Sequence, residues 1–214
     1  MNLIDRFICE VDSGLRTVFA PAHAERPLPT ASSASFSEAA SRRLHQDERN
    51  EAAQLMRVNH TGEVCAQALY QGQALVAKTN ETRELLRAAA REEHDHLAWC
   101  EARLNSLGGA TSRLSPLFYA GSFGLGIVSG LLGDKWSWGF LVETERQVEA
   151  HLGDHLNRWP IGDRASFAVL EAMRADELRH GQTGLSHGGA PLPVVVQGVM
   201  RAFSKVMTAT SYRI

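Results

Sequence analysis

Glu93 and His96 stand three residues apart, and so do Glu177 and His180. On a helix, residues three apart share a face, so each pair offers a carboxylate and an imidazole to one point. Each pair also follows a glutamate about thirty positions upstream, Glu63 before the first and Glu145 before the second. The chain therefore repeats the pattern Glu…Glu-x-x-His, and the two copies supply four carboxylates and two imidazoles. A carboxylate-bridged site for two metal ions needs that donor set. A lone Glu-x-x-His is most often a solvated helix face. The weight lies in two copies at matched spacing, both inside apolar helical periodicity, with Leu97 beside one and Leu178 beside the other.

Helices are required to bring these residues together. Apolar spacing predicts bundle helices over roughly 47–78, 82–107, 137–158 and 162–185. Lys78-Thr79-Asn80 breaks the first pair, Trp159-Pro160-Ile161-Gly162 breaks the second, and Gly108-Gly109 and Gly188-Gly189 end each hairpin. From Glu63 to its helix end is a rise of about 22 Å, and from the next helix start to Glu93 about 18 Å. The two ligands of this antiparallel hairpin thus meet within one turn, and the second hairpin behaves alike. The expected fold is all-α, a ferritin-like four-helix bundle with a di-metal site and additional amphipathic helices. Within it, Glu92 competes with Glu93 and Asp176 with Glu177, but only Glu93 and Glu177 have a histidine three residues on. Glu143, Glu145 and Glu149 compete on the third helix, and Glu149 sits where it would back Glu145 from one turn away. His151 and His155 are candidates for hydrogen bonding or proton transfer, His151 first.

The string Arg57-Val58-Asn59-His60-Thr61-Gly62-Glu63, continued by Val64 to Gln73, resembles the first metal helix of the demethoxyubiquinone hydroxylases. Glu92-Glu93-His94-Asp95-His96-Leu97, Glu143-Thr144-Glu145 and Asp176-Glu177-Leu178-Arg179-His180 resemble the other three. The resemblance covers roughly residues 50–187. It implies a membrane-associated di-iron monooxygenase of ubiquinone biosynthesis, with iron ligands at Glu63, Glu93, His96, Glu145, Glu177 and His180. By the family pattern Glu93 and Glu177 would bridge the irons. It also implies O2 as co-substrate, a polyprenylated demethoxy-quinol as substrate and other ubiquinone-biosynthesis proteins as partners. With no flavin or Rossmann signature in the chain, reducing equivalents must come from outside, and NADH and the quinol itself both stay open as donor. Self-association as a homo-oligomer stays open. The donor set alone does not separate Fe from Mn.

Composition narrows the rest. At 214 residues and a net charge of −2, one core-forming domain is expected and no nucleic-acid surface. Cys9, Cys65 and Cys100 form no Cys-x-x-Cys, which suits a reducing compartment, and the last two fall in apolar helix positions. Asp5, Arg6, Glu10 and Asp12 interrupt any signal-peptide core, so the chain is expected to stay on the synthesising side of the membrane. The division expected is an amphipathic helix in 1–20, a linker in 21–45, the bundle in 46–187 and a further amphipathic helix in 188–214.

Leu114–Gly133 is a run of twenty residues without a charge. It is long enough for a bilayer of about 30 Å, but a single span would place the two hairpins on opposite sides and destroy the shared site. It is therefore expected to lie against the bundle, facing the membrane, and to wall a channel for the quinol through Gly121, Gly124 and Gly126. Trp136 and Trp138 suit an interfacial belt. The location expected is peripheral, on the cytoplasmic face of the bacterial inner membrane. Two rivals use parts of this pattern. A ferritin- or rubrerythrin-like iron-oxidising or peroxide-scavenging bundle needs the ligands but not the apolar segments. A non-enzymatic quinone- or lipid-binding partner needs those segments but not the ligands.

Overall fold

A computed structural model of the chain describes residues 3–30, 44–160 and 162–214. The described residues form seven helices: α1 (Leu3–Phe19), α2 (Gln46–Val76), α3 (Asn80–Leu107), α4 (Ser115–Leu131), α5 (Asp134–Arg158), α6 (Arg164–Ser186) and α7 (Val194–Ser211). The fold is all-α, as expected. Part of the stretch read as a linker, residues 31–43, lies outside the described residues, as does Ile161.

Local chemistry sets the helix ends. Thr79 caps α3, its hydroxyl accepting from Thr82 N at 3.0 Å, so the helix starts at Asn80, two residues earlier than apolar spacing alone indicates. Gly108 ends it in the left-handed region at φ 75°. Asp163 caps α6 by accepting from Ser166 N at 3.1 Å. The same aspartate also receives Trp159 Nε1 and the Arg103 guanidinium, which ties the α5–α6 turn to α3.

The hairpins α2–α3 and α5–α6 pack together as the bundle, and two apolar clusters divide its interior. Met56, Trp99, Leu104, Leu152, Leu170 and Met173 belong to one, and Leu69, Tyr70, Leu86, Trp138 and Leu141 to the other. α2, α3 and α5 each contribute to both clusters and α6 to the first, and the residues beside or between them on each helix are polar: Glu63 on α2, Glu93 and His96 on α3, Glu145 on α5, Glu177 and His180 on α6. Burying that layer between apolar caps removes water from it, which raises the cost of leaving its charges uncompensated.

α4 lies along α2 at backbone contact. A Cβ on Gly126 would collide with the Leu69 carbonyl oxygen, and one on Gly72 with the Phe123 carbonyl oxygen. α1 is tethered through Gln71 Nε2, which donates to Ser13 Oγ at 3.0 Å. Its orientation inverts the usual rule. Glu10 and Thr17 face the bundle, whereas Ile8, Val11, Leu15 and Phe19 face outward. α4 and α7 also turn large apolar side chains outward, Leu117, Val128 and Leu131 on one and Val195 and Val199 on the other. Trp136 is exposed, but Trp138 is not part of any belt: it is buried and stacked on His187. No helix among the described residues is long and apolar enough to cross a membrane.

Candidate metal centre

Within the polar layer the six acidic and imidazole side chains fall into two overlapping groups. Glu63, Glu93, His96 and Glu177 form one; Glu93, Glu145, Glu177 and His180 form the other. In each group the available ligand atoms lie within 4.8 Å of one another, and every member is buried. His96 Nδ1 stands 3.1 Å from Glu93 Oε2, 3.3 Å from Glu177 Oε1 and 3.4 Å from Glu63 Oε2. His180 Nδ1 stands 3.1 Å from Glu93 Oε1, 3.5 Å from Glu177 Oε2 and 3.9 Å from Glu145 Oε1. Glu93 and Glu177 therefore turn one oxygen to each histidine, while Glu63 and Glu145 each serve one side.

The chemistry of the cluster calls for cations. Glu63 Oε2, both oxygens of Glu145 and both of Glu177 are buried without a hydrogen-bond partner. Burial drives the Glu63 and Glu145 carboxyls well above the usual range, and the neighbouring carboxylates add to it. Burial alone would depress the imidazoles, but Glu93 and the other carboxylates around His96 hold it well above its ordinary value. His180 is raised in the same sense by Glu177, Glu92 and Glu93 against its own burial. Protons thus do the neutralising that two divalent ions would do in their place. The donor set and its unpartnered atoms fit such ions.

The outer nitrogens of both imidazoles face acids from the opposite hairpin. His96 Nε2 lies 2.9 Å from Asp176 Oδ2, and His180 Nε2 lies 3.2 Å from Glu92 Oε2. A carboxylate there fixes the tautomer and turns Nδ1 inward. Glu92 and Asp176, competitors for ligand positions on sequence grounds, thus occupy a different place: each precedes a ligand of its own helix and backs the histidine of the other. The signal was present as an acid directly before each Glu-x-x-His, but only the pairing of helices says which histidine it reaches.

Other sequence candidates separate from the cluster. Glu143 is held by Arg146 at 2.7 Å and Gln147 at 2.7 Å, away from the ligand groups. Glu149 does not back Glu145, because Arg174 holds it at 2.5 Å. Leu97 is buried, but Leu178 is half exposed, since the position after Glu177 points away from the bundle axis. Cys100 is a core residue, whereas Cys65 is only partly covered and lines a cavity. Burial pushes its thiol up to about 12.

That cavity, about 340 Å³, reaches the cluster at Glu63. Its walls come from α2, α5 and α7, with Ser122 and Leu125 from α4. The expected glycine wall is thus corrected in part. Gly126 is a packing residue against α2, a Cβ on Gly121 or Gly124 would meet nothing, and α7 closes more of the space than α4. His151 lines the cavity with its Nε2 buried and unpartnered. Its ring lies 3.9 Å from that of His155, which is buried deeper against Trp159. Val199 and Leu125, both exposed on one side, form part of the lining, so the cavity joins the outward apolar surface to the polar layer.

The sequence profile of the family described as "Ubiquinone biosynthesis protein COQ7" matches residues 50–211. Among curated relatives, a 3-demethoxyubiquinol 3-hydroxylase of Polynucleobacter necessarius subsp. necessarius (strain STIR1) is 53% identical over 214 residues, covering 100% of both chains. The protein of that name from Nitrosomonas eutropha is 52% identical over 209 residues, 98% of each chain. That from Azoarcus sp. (strain BH72) is 49% identical over 212 residues, 99% of this chain and 100% of the other.

Proposed function

The chain belongs to the COQ7 family of ubiquinone biosynthesis proteins, and from that membership we infer that it is a 3-demethoxyubiquinol 3-hydroxylase. The observation that carries the reading furthest is an apolar cavity that runs from an outward apolar rim to Glu63, beside a buried cluster built for two cations. A storage or scavenging bundle has no use for such a cavity, and a lipid-binding partner has none for six buried ligand side chains.

In this reading Glu63, Glu93, His96, Glu145, Glu177 and His180 would hold two iron ions. When bound, the irons supply the redox chemistry that activates O2 for insertion into the quinol ring. The chain's own residues do the rest. Asp176 and Glu92 keep the imidazole Nδ1 atoms turned inward. The walls of Val58, Leu69, Phe140, Leu152 and Met207 exclude water and accept the flat ring and the first isoprene units. His151, one of the polar groups lining the cavity beside Asn59, Thr144 and Gln147, has its pKa lowered by burial, so a neutral imidazole faces the cavity as acceptor or donor. A polyprenyl tail would leave past Leu125 and Val199. The outward apolar faces of α1, α4 and α7 would rest on a membrane surface as a peripheral attachment, on the cytoplasmic face.

The activity is tested by turning over a demethoxy-quinol in the presence of heavy-isotope dioxygen. The ring hydroxyl of the product should carry the heavy oxygen. Product with oxygen from water, or no product from iron-loaded protein with a reductant, would refute the assignment.

A further inference from the structure

Residues 20–30 precede the segment that matches the family profile, yet their one guanidinium reaches the metal layer. The stretch crosses α3 with a bend at Glu25 and Arg26. Ala22 N donates to Glu101 Oε2 at 2.9 Å, and Glu25 N donates to Asp95 Oδ1 at 2.6 Å. Trp99 Nε1 donates to the Arg26 carbonyl oxygen at 3.4 Å. These contacts bring Arg26 over the Trp99 ring, 4.7 Å from its centroid. Its Nε then donates to Asp95 Oδ2 at 2.6 Å and its NH1 to Asp176 Oδ2 at 2.7 Å. One planar fork thus joins an acid of α3 to an acid of α6, a geometry a lysine cannot reproduce.

Asp176 Oδ2 is also the oxygen that faces His96 Nε2. A carboxylate oxygen has lone pairs for both partners, so Arg26 and His96 fix it from two sides. The other half of the repeat is built differently. His180 is backed by Glu92, whose side chain is 39% exposed against 7% for Asp176; Arg179 of α6 holds both acids, Glu92 and Asp176 Oδ1, whereas Arg26 reaches only Asp176 of the two. The two halves therefore match in their candidate ligands and differ in their backing. Attaching the strap to α3 needs only Asp95, Glu101 and Trp99. The reach to Asp176 adds nothing to that attachment, but it does fix the partner of His96.

We propose that Arg26 is a positioning residue for the metal position on the His96 side: it pins Asp176 between α3 and α6, sets the His96 ring, and makes that position the tighter of the two. The inference rests on reading the cluster as a metal centre. Cobalt(II) added to the metal-free full chain, followed by its absorption spectrum, tests it. The His180→Gln background keeps only the His96 imidazole, and the His96→Gln background keeps only that of His180. Arg26→Met should weaken cobalt binding about 10–100-fold in the first background and less than about twofold in the second. Arg26→Lys should fall between Arg26 and Met in the first background. Thermal unfolding of each metal-free variant checks that it is folded. Should Arg26→Met not fold, Arg26→Lys is read in the same two backgrounds, where a several-fold loss confined to the first supports the role. Equal losses in both backgrounds, or none in either, would overturn the positioning role while leaving the metal centre standing. No cobalt bound by the unaltered chain would overturn the metal-centre reading itself.

Discussion

Glu177 offers one oxygen to each imidazole, so truncating it should damage both halves of the cluster at once. Glu177→Ala is expected to lower hydroxylation by more than the roughly 10–100-fold typical of losing an outer partner, whereas Glu143→Ala should stay within about threefold. Steady-state turnover of the two variants checks this, and a larger loss at Glu143 would move the ligand assignment on α5. His60 carries a prediction of another kind. It is buried with Nδ1 unpartnered, and burial lowers its pKa from 6.5 to about 4. The unfolded chain therefore takes up this proton first as the pH falls. The contribution is fully present above pH 6.5 and is lost progressively towards pH 4, on the order of 3 kcal/mol. Urea unfolding across that window should show His60→Gln with a flatter pH dependence; an unchanged slope would mean that His60 is not held neutral. At this scale the clustering of Glu93 with His96 and of Glu177 with His180 was legible in the sequence, because side chains three apart on a helix must share a face. The backing of His96 and His180 was not, because it depends on which hairpin faces which, and nothing in a Pro- and Ala-rich stretch announces where Arg26 ends.

At the level of helices, the two kinds of glycine in α4 should respond oppositely. A side chain on Gly126 meets the backbone of α2, so Gly126→Ala is expected to destabilise by about 1–3 kcal/mol or more, since a carbonyl cannot rotate away. Gly124→Ala meets nothing and should be neutral or stabilise by up to about 1 kcal/mol through helix propensity. Thermal unfolding of the pair decides it, and equal effects would contradict the α2–α4 packing. Gly62 offers a complementary probe. It lines the cavity next to Glu63, and a Cβ there would have no neighbour within 4 Å. Gly62→Leu should therefore give a folded, iron-binding protein that has lost most quinol turnover, as measured by iron content and product formation together. The helices themselves were readable from period and caps, to within a few residues. Spacing could not tell that Gly126 packs while Gly124 stays open, since both sit in one uncharged run, or that α7 closes the cavity.

For the molecule as a whole, three helices turn large apolar side chains outward, with Phe19 71% and Val195 77% exposed, and exposed charges such as Arg16 on α1 and Arg201 and Lys205 on α7 stand among them. Sedimentation with anionic lipid vesicles should carry the protein down, and alkaline or high-salt washing should release it. Failure to sediment would remove the membrane from the account. The sequence announced these helices as amphipathic. It left open that α1 buries its polar side, because the partner of that side, Gln71 on α2, is only evident once the bundle is assembled. If hydroxylation is the work of a two-iron centre, the most direct test is iron added stepwise to the metal-free chain with quinol turnover followed at each step. Turnover should rise and reach its plateau at two irons per chain. A plateau at one iron, or full turnover with none, would contradict it.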